Sequence, residues 1–98
     1  MSTIRHVVVR GRVQGVGYRA FVEDEAIRRG LTGWVRNRRD GTVEALFSGD
    51  AGTVTDMISA CRQGPWGARV DGIEQRDGNA NELAPRGQGA VFAVLPTV

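Results

Sequence analysis

A chain of 98 residues with 41% hydrophobic and 24% charged side chains has ordinary globular composition, which excludes a disordered tract and a membrane span. A formal charge of +2 is too mild to signal a nucleic-acid partner, and all thirteen basic residues are arginine, which removes Schiff-base chemistry and the usual phosphate-loop lysine. One cysteine, Cys61, and one histidine, His6, supply neither a disulfide nor a metal-ligand set, so no metal and no cofactor are expected. MSTIRH holds no apolar signal segment, and the expectation is a single cytoplasmic domain over residues 1–98.

In chain order, residues 4–13 alternate as a strand, with Val7, Val9, Gly11 and Val13 on one face and Ile4, His6, Val8, Arg10 and Arg12 on the other. The segment GRVQGVGYR then leads into a helix over 19–29, whose buried side draws on Phe21, Val22, Ala26 and Ile27 and which Gly30 ends. Two arms, 33–39 and 42–48, flank Asp40-Gly41, a two-residue hairpin signal. A second helix over 51–63 carries Val54, Met57, Ile58 and Cys61 at i, i+3, i+4 and i+7, and Gly64-Pro65 stops it. Residues 68–75 are a fourth strand and 90–95 a last one, paired separately or as an edge extension. Between them, 76–89 is a Gly-, Asn- and Arg-rich loop with weak internal order. This order is the split βαβ arrangement: an α+β, ferredoxin-like βαββαβ sandwich with an antiparallel sheet, both helices on one face and the other face open.

The loop between the first strand and the first helix is where chemistry concentrates. Gly15 and Gly17 permit positive φ, and backbone N–H groups near residues 14–19 can converge at the positive end of a helix. Arg19 adds a planar fork suited to an oxyanion. On spacing alone the same residues also suit an ordinary glycine-rich turn with a solvated arginine, and the pattern is neither G-x-G-x-x-G nor a loop ending in GK[ST]. Asn37 interrupts the apolar parity of Gly33 and Val35. Its amide either orients a water beside an anion site or tethers the hairpin backbone.

Gly11-Arg12-Val13-Gln14-Gly15-Val16-Gly17-Tyr18-Arg19, followed by Gly33-Trp34-Val35-Arg36-Asn37 and Asp40-Gly41-Thr42-Val43-Glu44, resembles the acylphosphatase family. A third patch, Gly64-Pro65 with Ala68-Arg69-Val70-Asp71, is similar to it as well. The resemblance implies metal-free hydrolysis of the carboxyl–phosphate anhydride of small acyl phosphates to carboxylate and phosphate. It implies that Arg19 binds the phosphate, that Asn37 positions the water, and that the backbone of Gln14, Gly15, Val16, Gly17 and Tyr18 completes a cradle. A phosphate- or carbamoyl-phosphate-binding module, as at the start of hydrogenase-maturation proteins, is the alternative. A monomer is expected, with no nucleic-acid or membrane partner.

The remaining conspicuous residues have plainer expectations. Tyr18 packs at the strand-to-helix boundary or donates through its hydroxyl, and Glu23 stands at helical spacing from Arg19 for a surface ion pair. Trp34 is placed toward the open side of the sheet, where with His6, Val8, Arg10 and Arg12 it makes a thin case for a nucleic-acid surface. His6 is expected at the surface, Trp66 over the end of the second helix, and Cys61 in the core. The last strand lacks the basic ending of many relatives, which implies altered edge packing there.

Overall fold

A computed structural model describes residues 1–87, 89 and 91–98 of the chain. Along it run β1 (Ser2–Arg12), α1 (Tyr18–Arg28), β2 (Thr32–Asn37), β3 (Val43–Asp50), α2 (Ala51–Gln63), β4 (Arg69–Asp77), a 3₁₀ helix (Ala80–Arg86) and β5 (Phe92–Val94). The five strands lie in the order β4-β1-β3-β2-β5. β1 pairs antiparallel with β3 and β4, and β3 with β2. β5 instead pairs parallel to β2, Gly33 opposite Phe92 and Val35 opposite Val94. The ferredoxin-like α+β arrangement is therefore as expected, but its sheet is mixed rather than wholly antiparallel.

Strand alternation decides where the core sits. Val7 and Val9 of β1, Val35 of β2, and Val43, Ala45 and Phe47 of β3 all face the helices and are buried. Tyr18, Val22 and Ala26 of α1, and Val54, Met57, Ile58 and Cys61 of α2, close over them as one cluster. Each fully buried aliphatic side chain of this kind contributes about 1.5–3 kcal/mol. Phe47 stacks on Phe92 at 5.9 Å between ring centroids, which anchors the short β5 to the sheet.

Several expectations are corrected. The first hairpin is not a two-residue turn: Gly41 N donates to Arg38 O at 3.1 Å and Arg38 N to Thr42 O at 2.9 Å. β2 thus ends at Asn37, and a three-residue loop follows the paired Arg38. Asp40 stabilises that loop by accepting from Thr42 N and Oγ1 at 3.0 and 2.6 Å. The last strand spans only Phe92–Val94, and its expected start at Ala90, like Gln88 of the expected loop, lies outside the described residues.

The expected loop over 76–89 contains the 3₁₀ helix, which lies over part of the sheet's second face. Trp34 Nε1 donates to Glu82 O at 2.7 Å, and Arg76 grips both Glu82 carboxylate oxygens at 3.0 and 2.7 Å. Glu82 also accepts from Asn79 N at 3.1 Å, completing a capping box. Trp34 is consequently only 3% exposed and offers no open ring for base stacking. His6 is not a surface residue: it is 8% exposed, with Nε2 2.6 Å from Glu44 Oε2. Trp66 does not cover α2, since it is 98% exposed.

Candidate active site

Between the end of β1 and the start of α1 the chain turns through Val13, Gln14, Gly15, Val16 and Gly17. Gly15 has φ 74° and Gly17 φ 79°. A Cβ at either would meet no atom within 4 Å, so the glycines are required by the left-handed backbone and not by crowding.

That backbone leaves donors unused. Gly17 caps α1 with no side-chain acceptor, no acidic residue stands in the first turn, and the first bond into the helix is Phe21 N to Gly17 O at 3.0 Å. Among the described residues, the backbone N–H groups of 14–20 donate to no protein acceptor. α2 begins differently: Asp50 Oδ2 accepts from Gly52 N at 3.1 Å and Thr53 N at 3.3 Å. The start of α1 therefore retains its free N–H groups and the positive end of the helix dipole, the ordinary requirements for binding an anion.

The loop borders a cavity of about 340 Å³ lined by Val13, Gln14, Gly15, Gly17, Tyr18, Arg19, Ala20, Glu23, Asn37 and Val94. Arg19 enters it half-buried from the first turn of α1, with no ion pair or hydrogen bond among the described residues. Asn37 enters from the end of β2. Its Oδ1 is buried and accepts no hydrogen bond among the described residues. An unpaired buried acceptor costs about 1–3 kcal/mol. Asn37 is held by its backbone, through β-pairing to Val43 and a bond from Val98 N to Asn37 O at 3.2 Å, so its amide is not the tether of the hairpin.

Other expected site residues contribute main chain only. The Tyr18 hydroxyl donates to Cys61 O at 2.7 Å and the ring is buried, which pushes its pKa up and removes the phenol from the cavity's chemistry. Gln14 Nε2 donates to Arg38 O at 2.8 Å and Thr42 O at 2.9 Å, so its side-chain donors are turned into the protein. Val16 packs against the core rather than lining the cavity. Burial pushes the Cys61 thiol up to about 12, and it lies in the core as expected. Among the described residues, no three His, Cys, Asp or Glu side chains gather as metal ligands.

Glu23 lines the cavity and forms no ion pair with Arg19 within 4 Å among the described residues, so the expected surface pair is not made. Val13, Ala20 and Val94 also line it, and sequence reasoning did not place them there. The signal for Val94 was its alternation with Phe92. Only the parallel pairing of β5 with β2 turns that alternation into a position beside Asn37.

A family model described as acylphosphatase matches residues 5–86. The chain belongs to the acylphosphatase family. An acylphosphatase of Bradyrhizobium diazoefficiens is 57% identical over 95 residues, covering 97% of this chain and 96% of that one. Among solved structures, an acylphosphatase from Bacillus subtilis superposes with a TM-score of 0.83 at 34% identity, covering 97% of this chain and 99% of that one. HypF of T. kodakarensis superposes with a TM-score of 0.75 at 30% identity over 96% of this chain, which spans 12% of that protein. In acylphosphatase terms, the two segments that carry the resemblance, GRVQGVGYR and GWVRN, reach one cavity, the second through Asn37.

Proposed function

We propose that this cavity is where the family's reaction, hydrolysis of an acyl phosphate to a carboxylate and phosphate, takes place in this chain. The phosphoryl group lies on the free N–H groups of residues 14–18, and the Arg19 guanidinium closes over it as a planar fork. Each charge-assisted contact of this kind is worth about 1.5–3 kcal/mol. Asn37 Oδ1 accepts a hydrogen bond from the attacking water and aims it at phosphorus. The single observation that carries this reading is the pairing of unused donors beside Arg19 with an unpaired Asn37 acceptor in the same cavity.

The chemistry suits residues that position rather than ionise. A departing carboxylate is a weak base, so no general acid is needed on the leaving oxygen. As the P–O bond loosens, charge redistributes over the phosphoryl oxygens, and fixed donors stabilise that distribution if they fit it better than the ground state. An amide oxygen does not act as a base, so the water proton passes to a phosphoryl oxygen of the substrate. The carboxylate and phosphate then leave without a covalent enzyme intermediate.

Turnover of benzoyl phosphate by the purified protein tests the reading. Phosphate release lost in both Arg19→Ala and Asn37→Ala, with unchanged far-UV circular dichroism, is the expected result. Absence of turnover by the intact protein overturns it. The likeness to a segment of HypF supports one second reading, a phosphate- or carbamoyl-phosphate-binding module. Phosphate binding without turnover would favour it.

We further propose that residues 1–98 act as one cytoplasmic, monomeric domain. The single core cluster supports this, as do the exposed charges Asp71, Glu74, Arg76 and Asp77 along the edge strand β4, which oppose pairing with a second sheet. Among the described residues no helix is long and apolar enough to cross a membrane.

A further inference from the structure

The loop of free donors and Asn37 are carried by strands that do not touch. β1 leads into the loop and β2 ends at Asn37, with β3 between them. Pairing of β1 with β3 ends at Val9 opposite Val43, whereas β1 continues along β4 as far as Arg12 opposite Arg69. From Arg10 onward the strand that delivers the loop is therefore held by the sheet only on the side away from Asn37.

Gln14 bridges this gap. Both of its amide donors are used across 24 and 28 residues of sequence, one on Arg38 O at 2.8 Å and one on Thr42 O at 2.9 Å. Those carbonyls close the β2–β3 turn, since Thr42 O also accepts from Arg38 N and Arg38 O from Gly41 N. Arg38 directly follows Asn37. One carboxamide thus joins the first residue of the donor loop to the peptide next to the unpaired acceptor.

We infer that Gln14 is a positioning residue whose side chain sets the distance between the anion-holding loop and Asn37. The inference rests on the role proposed above for Asn37. The loop keeps its own shape without the clasp, because its left-handed glycines and the start of α1 define it. Its spacing from Asn37 is then no longer fixed. A misplacement of about 1 Å between reacting groups costs on the order of 10²-fold in rate. Removing the clasp therefore lowers kcat while leaving the affinity for the phosphoryl group largely intact.

The test is a double-mutant cycle on benzoyl phosphate hydrolysis, with inorganic phosphate as a competitive inhibitor. Gln14→Met keeps the side chain's length and shape and removes both donors, and thermal melting verifies that it folds. Gln14→Glu fits the same space but turns a carboxylate toward two carbonyls. The expected result is a fall in kcat of about 10- to 100-fold in both variants. The inhibition constant for phosphate stays close to that of the parent, and Gln14→Met causes almost no further loss in the Asn37→Ala background. A Gln14→Met protein with parental kcat, or one whose loss is as large in Asn37→Ala as alone, overturns the clasp and leaves the role of Asn37 standing. A weakened phosphate affinity with unchanged kcat also overturns it, by making Gln14 a support of the loop itself. If Asn37→Ala alone retains full turnover, the role of Asn37 falls first and the clasp with it.

Discussion

β2 carries two polar regions, one on each face, and they are built on opposite rules. On the helix side, Asn37 shares a cavity with a loop of N–H groups and an Arg19 that have no partner among the described residues. On the other side, the Glu44 carboxylate of β3 is 5% exposed and fully engaged: Arg36 Nε at 2.7 Å on Oε1, and His6 Nε2 at 2.6 Å and Arg38 Nη1 at 3.4 Å on Oε2. A carboxylate only accepts, so His6 Nε2 carries its proton. Arg36 also lies over the Trp34 ring at 4.7 Å. The paired cluster holds three strands together, whereas the unpaired one bears a cost that folding alone does not repay. Unsatisfied polar groups thus separate the proposed reactive region from the structural one in this molecule.

Substitutions that break this comparison should lower either rate or stability, but not both. The largest effect is expected for Arg19→Ala, a loss of about 10³-fold or more in kcat/KM with an unchanged melting temperature, read by phosphate release and thermal unfolding. Asn37→Ala should follow at about 10²-fold in kcat, and because it removes an unpaired buried acceptor its urea midpoint should hold or rise. Glu44→Ala should do the reverse. It strands Arg36 and His6 beside a cavity and lowers unfolding free energy by about 3 kcal/mol, while turnover well below the melting temperature changes little. At the two helix starts, Asp50→Ala should lower the denaturation midpoint of α2's fold without touching kcat, since only α1 keeps its donors for a ligand.

The smallest effect concerns acid. Burial alone would raise the Glu44 carboxyl, but hydrogen bonds from His6 and Arg36 and the Arg36 charge together outweigh it and hold it below its ordinary value. The Arg76 fork, with help from Asn79 N–H, brings Glu82 from 4.5 to about 2. Both folded values lie below the unfolded ones. For Glu82 that stabilisation is therefore complete above about pH 4.5 and is lost as pH falls toward about 2, and Glu44 contributes in the same direction. Melting temperatures measured from pH 6 downward should fall most steeply in that window, and less steeply in Glu82→Gln.

Local pattern made much of this legible. The stripe Val54, Met57, Ile58 and Cys61 marked α2 with its observed bounds, and the parity of Gly33, Val35 and Asn37 placed Asn37 on the helix side of the sheet. The glycines of the first loop were legible because their left-handed φ is a property of the residue itself. What remained hidden depends on partners distant in sequence. His6 looked like a surface residue because its carboxylate lies on another strand, 38 residues away. Trp34 looked open because the segment that covers it, over Glu82, has no periodic pattern and is held by Arg76. The parallel pairing of β5 was hidden for the same reason: three residues carry too little alternation to declare a neighbour.

The most direct measurement is a titration of inorganic phosphate into the ¹⁵N-labelled protein, followed by amide resonances. Saturable shifts centred on the amides of residues 14–20, abolished in Arg19→Ala and preserved in Glu44→Ala, are the expected result. Shifts centred elsewhere, or unchanged by loss of the Arg19 guanidinium, would contradict it.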